Sequence, residues 1–335
     1  MVSKCENFTE EEDGGYFQLT SWWIESCTQD VVIVIGIIGN ILICVVLLQK
    51  HLWRNTFNQL RVALAFFDII LLITTFLTYV LFRSAEDILQ IVYPIVLWPS
   101  KSFSKTICVF MTVTMAWERY GAINNPYTYK SYEKYRAMKY VSSLIVVAMV
   151  LNIGKFLELQ PTQCVRTPGF TGLFKLGKIF KNNIIENNII AIYNTVIFKI
   201  LIGGVLPVTM LTYLYGKIFL KMQQHKQTMA SQNATVKKKI MQEQRMAITF
   251  VGVVISLLVC ITPGWLIVFK VLMDGTEATN LQYYEIVIMV RMAFYTLNSA
   301  TNIFIYICLD TIFRKELKMF FKCAGDTDNE STTNV

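Results

Sequence analysis

The sequence predicts an all-α membrane protein: a seven-transmembrane helix bundle followed by a short amphipathic eighth helix on the inner leaflet. Three observations carry that expectation. Of the 335 residues, 54% are hydrophobic and 16% charged, a balance too apolar and too poor in charge for an ordinary soluble domain. Apolar runs long enough to cross a bilayer, which takes about 20 residues of helix, recur seven times along the chain. Basic residues are dense and sparse by turns in the segments between those runs, as the two faces of a membrane require.

The runs lie at 31–49, 58–82, 91–119, 137–157, 188–216, 246–272 and 283–308. Residues 1–30 contain no apolar signal-peptide core, so they read as an N-terminal tail and the first span as its own insertion signal. Asn40 interrupts the first span in "IIGNILI", and Asp68 the second in "RVALAFFDIILL". The third contains two lysines in "WPSKSFSK" and closes on the adjacent charges of Glu118 and Arg119. Pro207 in the fifth and Pro263 in the sixth each remove a backbone hydrogen bond and kink the helix, and a kink at Pro263 lets the inner half of the sixth swing. After the bundle, 31–308, the stretch "TIFRKELKMFFKC" sets Ile312, Phe313, Leu317, Phe320 and Phe321 against Arg314, Lys315, Lys318 and Lys322. That spacing predicts an amphipathic helix over 309–323, with Cys323 a candidate for palmitoylation and 324–335 a tail. No internal repeat or long linker divides the chain.

Seven spans put the two ends on opposite sides. The segments 50–56, 122–139, 217–247 and 310–335 hold 17 of the 31 Lys and Arg, and the alternate set 7, so the C-terminus is expected in the cytoplasm and the N-terminus outside. The net charge of +8 then forms an inner collar facing anionic membrane lipid, and no nucleic acid is expected as a partner. Cys5, Cys27 and Cys164 fall outside, where disulfides persist, while Cys44, Cys108, Cys260 and Cys308 read as small apolar residues within spans. Asn7 opens a glycosylation sequon on the outer tail; those at Asn233 and Asn329 face inward. With only two histidines, His51 and His225, and no zinc, phosphate-loop or nucleophile-elbow motif, no enzyme and no cofactor are expected.

Ionisable groups inside spans mark function. A buried carboxylate at Asp68 needs donors or a cation, and Asn40, Asn298 and Asn302 are at hand; the set is either a polar staple between helices or a sodium- or proton-sensitive switch. Glu243 lies 20 residues before Pro263, roughly 30 Å along a helix, at the same inner end as Arg119. Arg119 therefore has two partners to choose from, Glu118 and Glu243. On the outer side, Lys101 and Lys105 stand roughly 27 and 21 Å above Arg119. Lys199, Lys270 and Arg291 also occupy outer halves, and five cations at one mouth focus a positive potential that suits a ligand with an anionic part. Individual lysines can instead snorkel or pair with Glu86, Asp87, Glu158 or Glu285.

Taken in order, Asn40, "LAFFD" (64–68), "ERY" (118–120), Pro207 with Tyr215, Pro263, and "NIFIY" (302–306) with the amphipathic helix behind it resemble the landmarks of rhodopsin-like (class A) G-protein-coupled receptors. The likeness runs from about 31 to 323. The segments 92–126, "KFLELQ" (155–160) and "NSATNIFIY" are most similar to invertebrate FMRFamide-receptor-like neuropeptide receptors. The resemblance implies an extracellular peptide ligand and a heterotrimeric G protein as partners. It also implies an outward swing of the sixth helix that releases Arg119, flanked by Glu118 and Tyr120, with Tyr215 and Tyr306 repacking toward it. Amidated, arginine-bearing peptides would look to Glu86, Asp87, Glu158 or Glu285 rather than to the lysines. The sequence departs from the family at Ile261 and Ile303, where a Trp and a Pro are usual, and in a fourth span without its Trp. Pro94 replaces the cysteine near the top of the third span, so Cys164 pairs with Cys27 or Cys5, or stays free. The competing reading is a seven-helix chemosensory receptor or ligand-gated channel for a small anionic ligand; a transporter is disfavoured by the missing repeat.

Overall fold

The computed structural model describes residues 28–84, 91–124, 135–158, 204–228, 241, 248–260, 262 and 282–331. These form α1 (Gln29–Leu47), α2 (Lys50–Trp53), α3 (Thr56–Ser84), α4 (Trp98–Asn124), α5 (Arg136–Asn152), α6 (Lys155–Glu158), α7 (Leu206–Thr228), α8 (Ile248–Cys260), α9 (Gln282–Leu309) and α10 (Thr311–Ser331). A π-helical turn at Tyr93–Leu97 leads into α4. Among the described residues no strand occurs, and α1, α3, α4, α5, α7, α8 and α9 fall on the seven apolar runs. Gln29–Leu47, Thr56–Leu81 and Met292–Leu309 are each long and apolar enough to cross a membrane.

One core unites the helices. Ile43 of α1, Leu64 of α3, Met111 of α4, Leu211 of α7, Phe250 of α8 and Ile303 of α9 are all buried in it. Large apolar side chains such as Ile38, Val150 and Phe219 point outward, the arrangement a helix needs when its other neighbour is lipid. Several threonine hydroxyls of α3 and α4 are satisfied by their own helix: Thr75 donates to Leu71 O at 2.7 Å, Thr78 to Thr74 O at 2.7 Å and Thr112 to Cys108 O at 2.9 Å, so these carry no unmet polarity into the core.

Small residues set the closest approach. A Cβ added at Gly39 would lie 2.5 Å from Ile303 Cγ2, and one at Gly36 would lie 2.9 Å from Ala300 Cβ, so α1 meets α9 nearly backbone to backbone. Ile303, in place of the proline expected by resemblance, fills that contact.

Element ends differ from the sequence expectation at several places, among them α7, which runs to Thr228 rather than 216. The fourth span, expected as one run over 137–157, breaks at Ile153 and Gly154. There Asn152 turns its amide to Ala148 O at 2.8 Å and to Thr106 Oγ1 of α4 at 3.1 Å, a side-chain competition that loosens the ladder just before a glycine. The third helix runs to Asn124 rather than 119, which leaves Arg119 inside a helix instead of at its end. The last helix runs through Ser331 rather than 323, because the stretch beyond Cys323 contains no proline to stop it. Asp310 starts that helix by accepting the N–H groups of Ile312 and Phe313 at 3.0 Å each, as an N-cap carboxylate does.

Candidate functional site

Two buried polar layers lie across the half of the bundle that contains the start of α3 and the end of α9. In the deeper one, Asp68 is 1% exposed and its Oδ2 accepts the Asn302 amide of α9 at 2.8 Å. The Cys108 thiol and the Ser299 hydroxyl also face its carboxyl. Asn40 of α1 donates to Gly36 O at 2.8 Å and to Ser299 O at 2.9 Å, so α1, α3, α4 and α9 are tied at one level. Asn298, expected in this set, uses its backbone oxygen to accept Thr301 Oγ1 at 3.0 Å, and Thr301 in turn shares a 2.9 Å hydrogen bond with Ser256 of α8.

The layer nearer the ends of α3 and α9 is aromatic and cationic. Arg119 is 1% exposed, with its guanidinium carbon 3.9 Å from the centre of the Phe57 ring. Phe57 meets Phe250 of α8 edge-on at 5.7 Å, and Phe250 stacks on Tyr215 of α7 at 6.1 Å. Glu118, also buried, pairs with Arg136 of α5 at 3.5 Å, a partner that the sequence expectation of Glu118 or Glu243 for Arg119 did not include. Tyr120 packs beside Ile123 and Ile218. The hydroxyls of Tyr215 and Tyr306 are buried with no hydrogen-bond partner among the described residues.

Arg61 completes this layer. It is 3% exposed, pairs with Asp310 at 2.9 Å and lies 3.8 Å from the Tyr306 ring centre. Sequence reasoning passed over it because it sits three residues inside the expected span; the rule that an ionisable residue in a span marks function would have flagged it.

Toward the outer end, Lys105 Nζ lies 3.3 Å from the centre of the Tyr295 ring of α9, and Lys101 is one turn away on the same face of α4. Lys155 is 3% exposed and sits 6.0 Å from the Trp98 ring, a third cation on this side that the apolar reading of the fourth span hid. Of the other expected site residues, Glu158 lies in α6, Arg291 in α9 and Cys323 in α10. Asn7, Cys27, Cys164, Lys199, Glu243, Pro263 and Lys270 lie outside the described residues.

The model of the family described as 7 transmembrane receptor (rhodopsin family) matches residues 39–306, a stretch that contains both layers except Asp310. The chain belongs to the rhodopsin family of seven-transmembrane receptors. The receptor is thus a multi-pass membrane protein, and its helices α1 to α9 carry the family match. Over 148 residues it is 28% identical to the FMRFamide receptor of Drosophila melanogaster; the match covers 41% of this receptor and 27% of the fly protein. The chain therefore spans about a quarter of that relative's length.

Proposed function

We propose that the receptor binds an extracellular neuropeptide and signals to a heterotrimeric G protein by an outward swing of the helix containing α8. The observation that carries this reading is the burial of Arg119. An arginine stays charged in a protein, and at 1% exposure its desolvation has to be offset by fixed neighbours, the Phe57 ring among them. Movement of α8 takes Phe250 off Phe57 and opens Arg119 to the cytoplasm. The same movement gives the buried hydroxyls of Tyr215 and Tyr306 room to find acceptors. Such a closed state is poised rather than inert, and a ligand with differential affinity for the open state shifts the balance.

The likeness to the fly receptor supports a peptide ligand. Lys101 and Lys105, joined by Lys155 and by Lys199, Lys270 and Arg291 from the outer halves of their spans, favour a ligand with an anionic part. Glu158 is the counterpart for a peptide cation. At the deeper layer, the buried oxygens of Asp68 and Ser299 face one another, and oxygen ligands of this kind suit a hard monovalent cation such as sodium. An orientation with the N-terminus outside would put Asn7 where it can be glycosylated, Cys164 in the oxidising space where Cys27 or Cys5 can pair with it, and Cys323 at the inner leaflet.

The reading is tested by screening amidated and acidic peptide libraries against cells expressing the receptor with a promiscuous G protein. A peptide that raises second messenger only in receptor-bearing cells supports it. A small anion that opens a current in the absence of any G-protein response would replace it with the channel reading.

A further inference from the structure

Arg61 lies five residues into α3 and is 3% exposed. Its Nη1 donates to Asp310 Oδ2 at 2.9 Å and to Asn58 Oδ1 at 3.3 Å. Its flat face lies against rings, with Tyr306 at 3.8 Å and Phe57 and Phe313 at 5.9 and 5.8 Å. Tyr306 is held from two sides, by this guanidinium, which also faces its hydroxyl, and by the Phe313 ring at 5.8 Å.

Asp310 joins the pieces. One carboxylate oxygen pairs with Arg61 and the other caps α10 through Ile312 and Phe313. Its own N–H donates to Tyr306 O at 3.0 Å, so Tyr306 and Asp310 sit one turn apart and shift together when the end of α9 moves against α3.

We propose that Arg61 is a positioning residue for signalling: with Asp310 it latches Tyr306 in the resting arrangement, and this latch must open separately from the release of Arg119. The inference rests on the G-protein reading above. Tyr306 can turn toward Tyr215 only by leaving the face of the guanidinium, and the end of α9 can move only by parting Asp310 from Arg61. A buried pair of opposite charges has no favourable half-open state, because each charge left alone in a low-dielectric interior is heavily penalised; the latch is therefore two-state. Phe57 touches both arginines, which gives the two releases a shared wall.

The test uses the full chain in membranes. Arg61→Met keeps the length of the side chain without its charge, Asp310→Asn keeps an oxygen for the cap without its charge, and Arg61→Lys keeps the charge. Two quantities are read: agonist-free guanine-nucleotide exchange on added heterotrimeric G protein, and deuterium uptake of residues 304–318 in purified receptor with no G protein present. Each of the first two variants should raise agonist-free exchange about 3–10-fold by shifting the resting population, and should raise uptake as well. The double variant should not exceed the larger single, because it removes the same contact and leaves neither charge buried alone. Arg61→Lys, which keeps a charge for Asp310 but not the flat guanidinium face on Tyr306, should fall between the parent and Arg61→Met. Parent-like uptake and exchange in both singles, or fully additive effects in the double, would overturn the latch. Raised uptake with exchange at background in every variant would leave the latch standing and remove the G-protein reading. Should Arg61→Met not fold, Asp310→Asn, which spares the cap, decides alone.

Discussion

The guanidinium of Arg119 lies on the face of Phe57, 3.9 Å from the ring centre, and that ring is the first residue but one of α3. A residue at the start of one helix thus covers the charge near the end of another. Truncation of Phe57 removes both the cover and the edge contact to Phe250. Phe57→Ala should lower stability by about 3–5 kcal/mol, as for other buried phenylalanines, and should raise agonist-free nucleotide exchange. Thermal melting of the purified receptor and exchange in membranes check the two effects together; a less stable but fully silent variant would mean that Phe57 is packing alone.

Asp68 and Asn302 share a 2.8 Å hydrogen bond between α3 and α9, with Asp68 Oδ1 left over. If sodium takes that oxygen, the parent receptor should melt higher in sodium chloride than in choline chloride at equal ionic strength, by the linkage of binding to folding. Asp68→Asn should melt at the same temperature in both salts. Equal melting of the parent in the two salts would leave the polar staple as the whole role of Asp68.

Close packing at Gly39 should be intolerant of even one methyl. The added Cβ would fall 2.5 Å from Ile303 Cγ2, so Gly39→Ala should cost about 1–3 kcal/mol through overpacking. Shortening Ile303 to alanine in the same chain should return part of that loss. A denaturation series over the four variants measures the coupling, and an uncoupled result would show that α1 shifts to make room.

Lys105 rests on Tyr295 at 3.3 Å and Lys101 precedes it by one turn. Lys101→Ala and Lys105→Ala should each weaken acidic members of a responding peptide series about tenfold, the loss of one charge-assisted hydrogen bond, and leave neutral members unchanged. Potency is read from dose–response curves in receptor-bearing cells. Equal potency of acidic peptides on parent and variants would assign these lysines to packing against aromatic rings.

Much of the fold could be read from the sequence because membrane insertion imposes one strong signal, the length of apolar runs, and the described helices follow it. The landmarks Asp68, Asn302 and Arg119 were legible as polar groups in apolar surroundings, and Tyr306 through the resemblance to the family. Arg61 was not singled out: near a span end a basic residue looks like the inner collar, and only packing reveals that it is buried against Tyr306. Lys155 was hidden in the same way by an apolar neighbourhood. Glu118 illustrates a different limit. Adjacency in sequence suggested Arg119 as its partner, but consecutive residues on a helix point about 100° apart, and Arg136 arrives from α5 on Glu118's side. Element ends were least legible, since the break after Asn152 depends on a hydrogen bond to Thr106 in another helix.

If a peptide opens the crevice closed over Arg119 and thereby activates a G protein, peptide-stimulated guanine-nucleotide exchange on heterotrimeric G protein should depend on that arginine in membranes containing the parent or Arg119→Ala. An activating peptide should raise exchange through the parent, whereas Arg119→Ala should bind the same peptide with exchange at background. Peptide binding with full exchange through Arg119→Ala would rule out this role for Arg119.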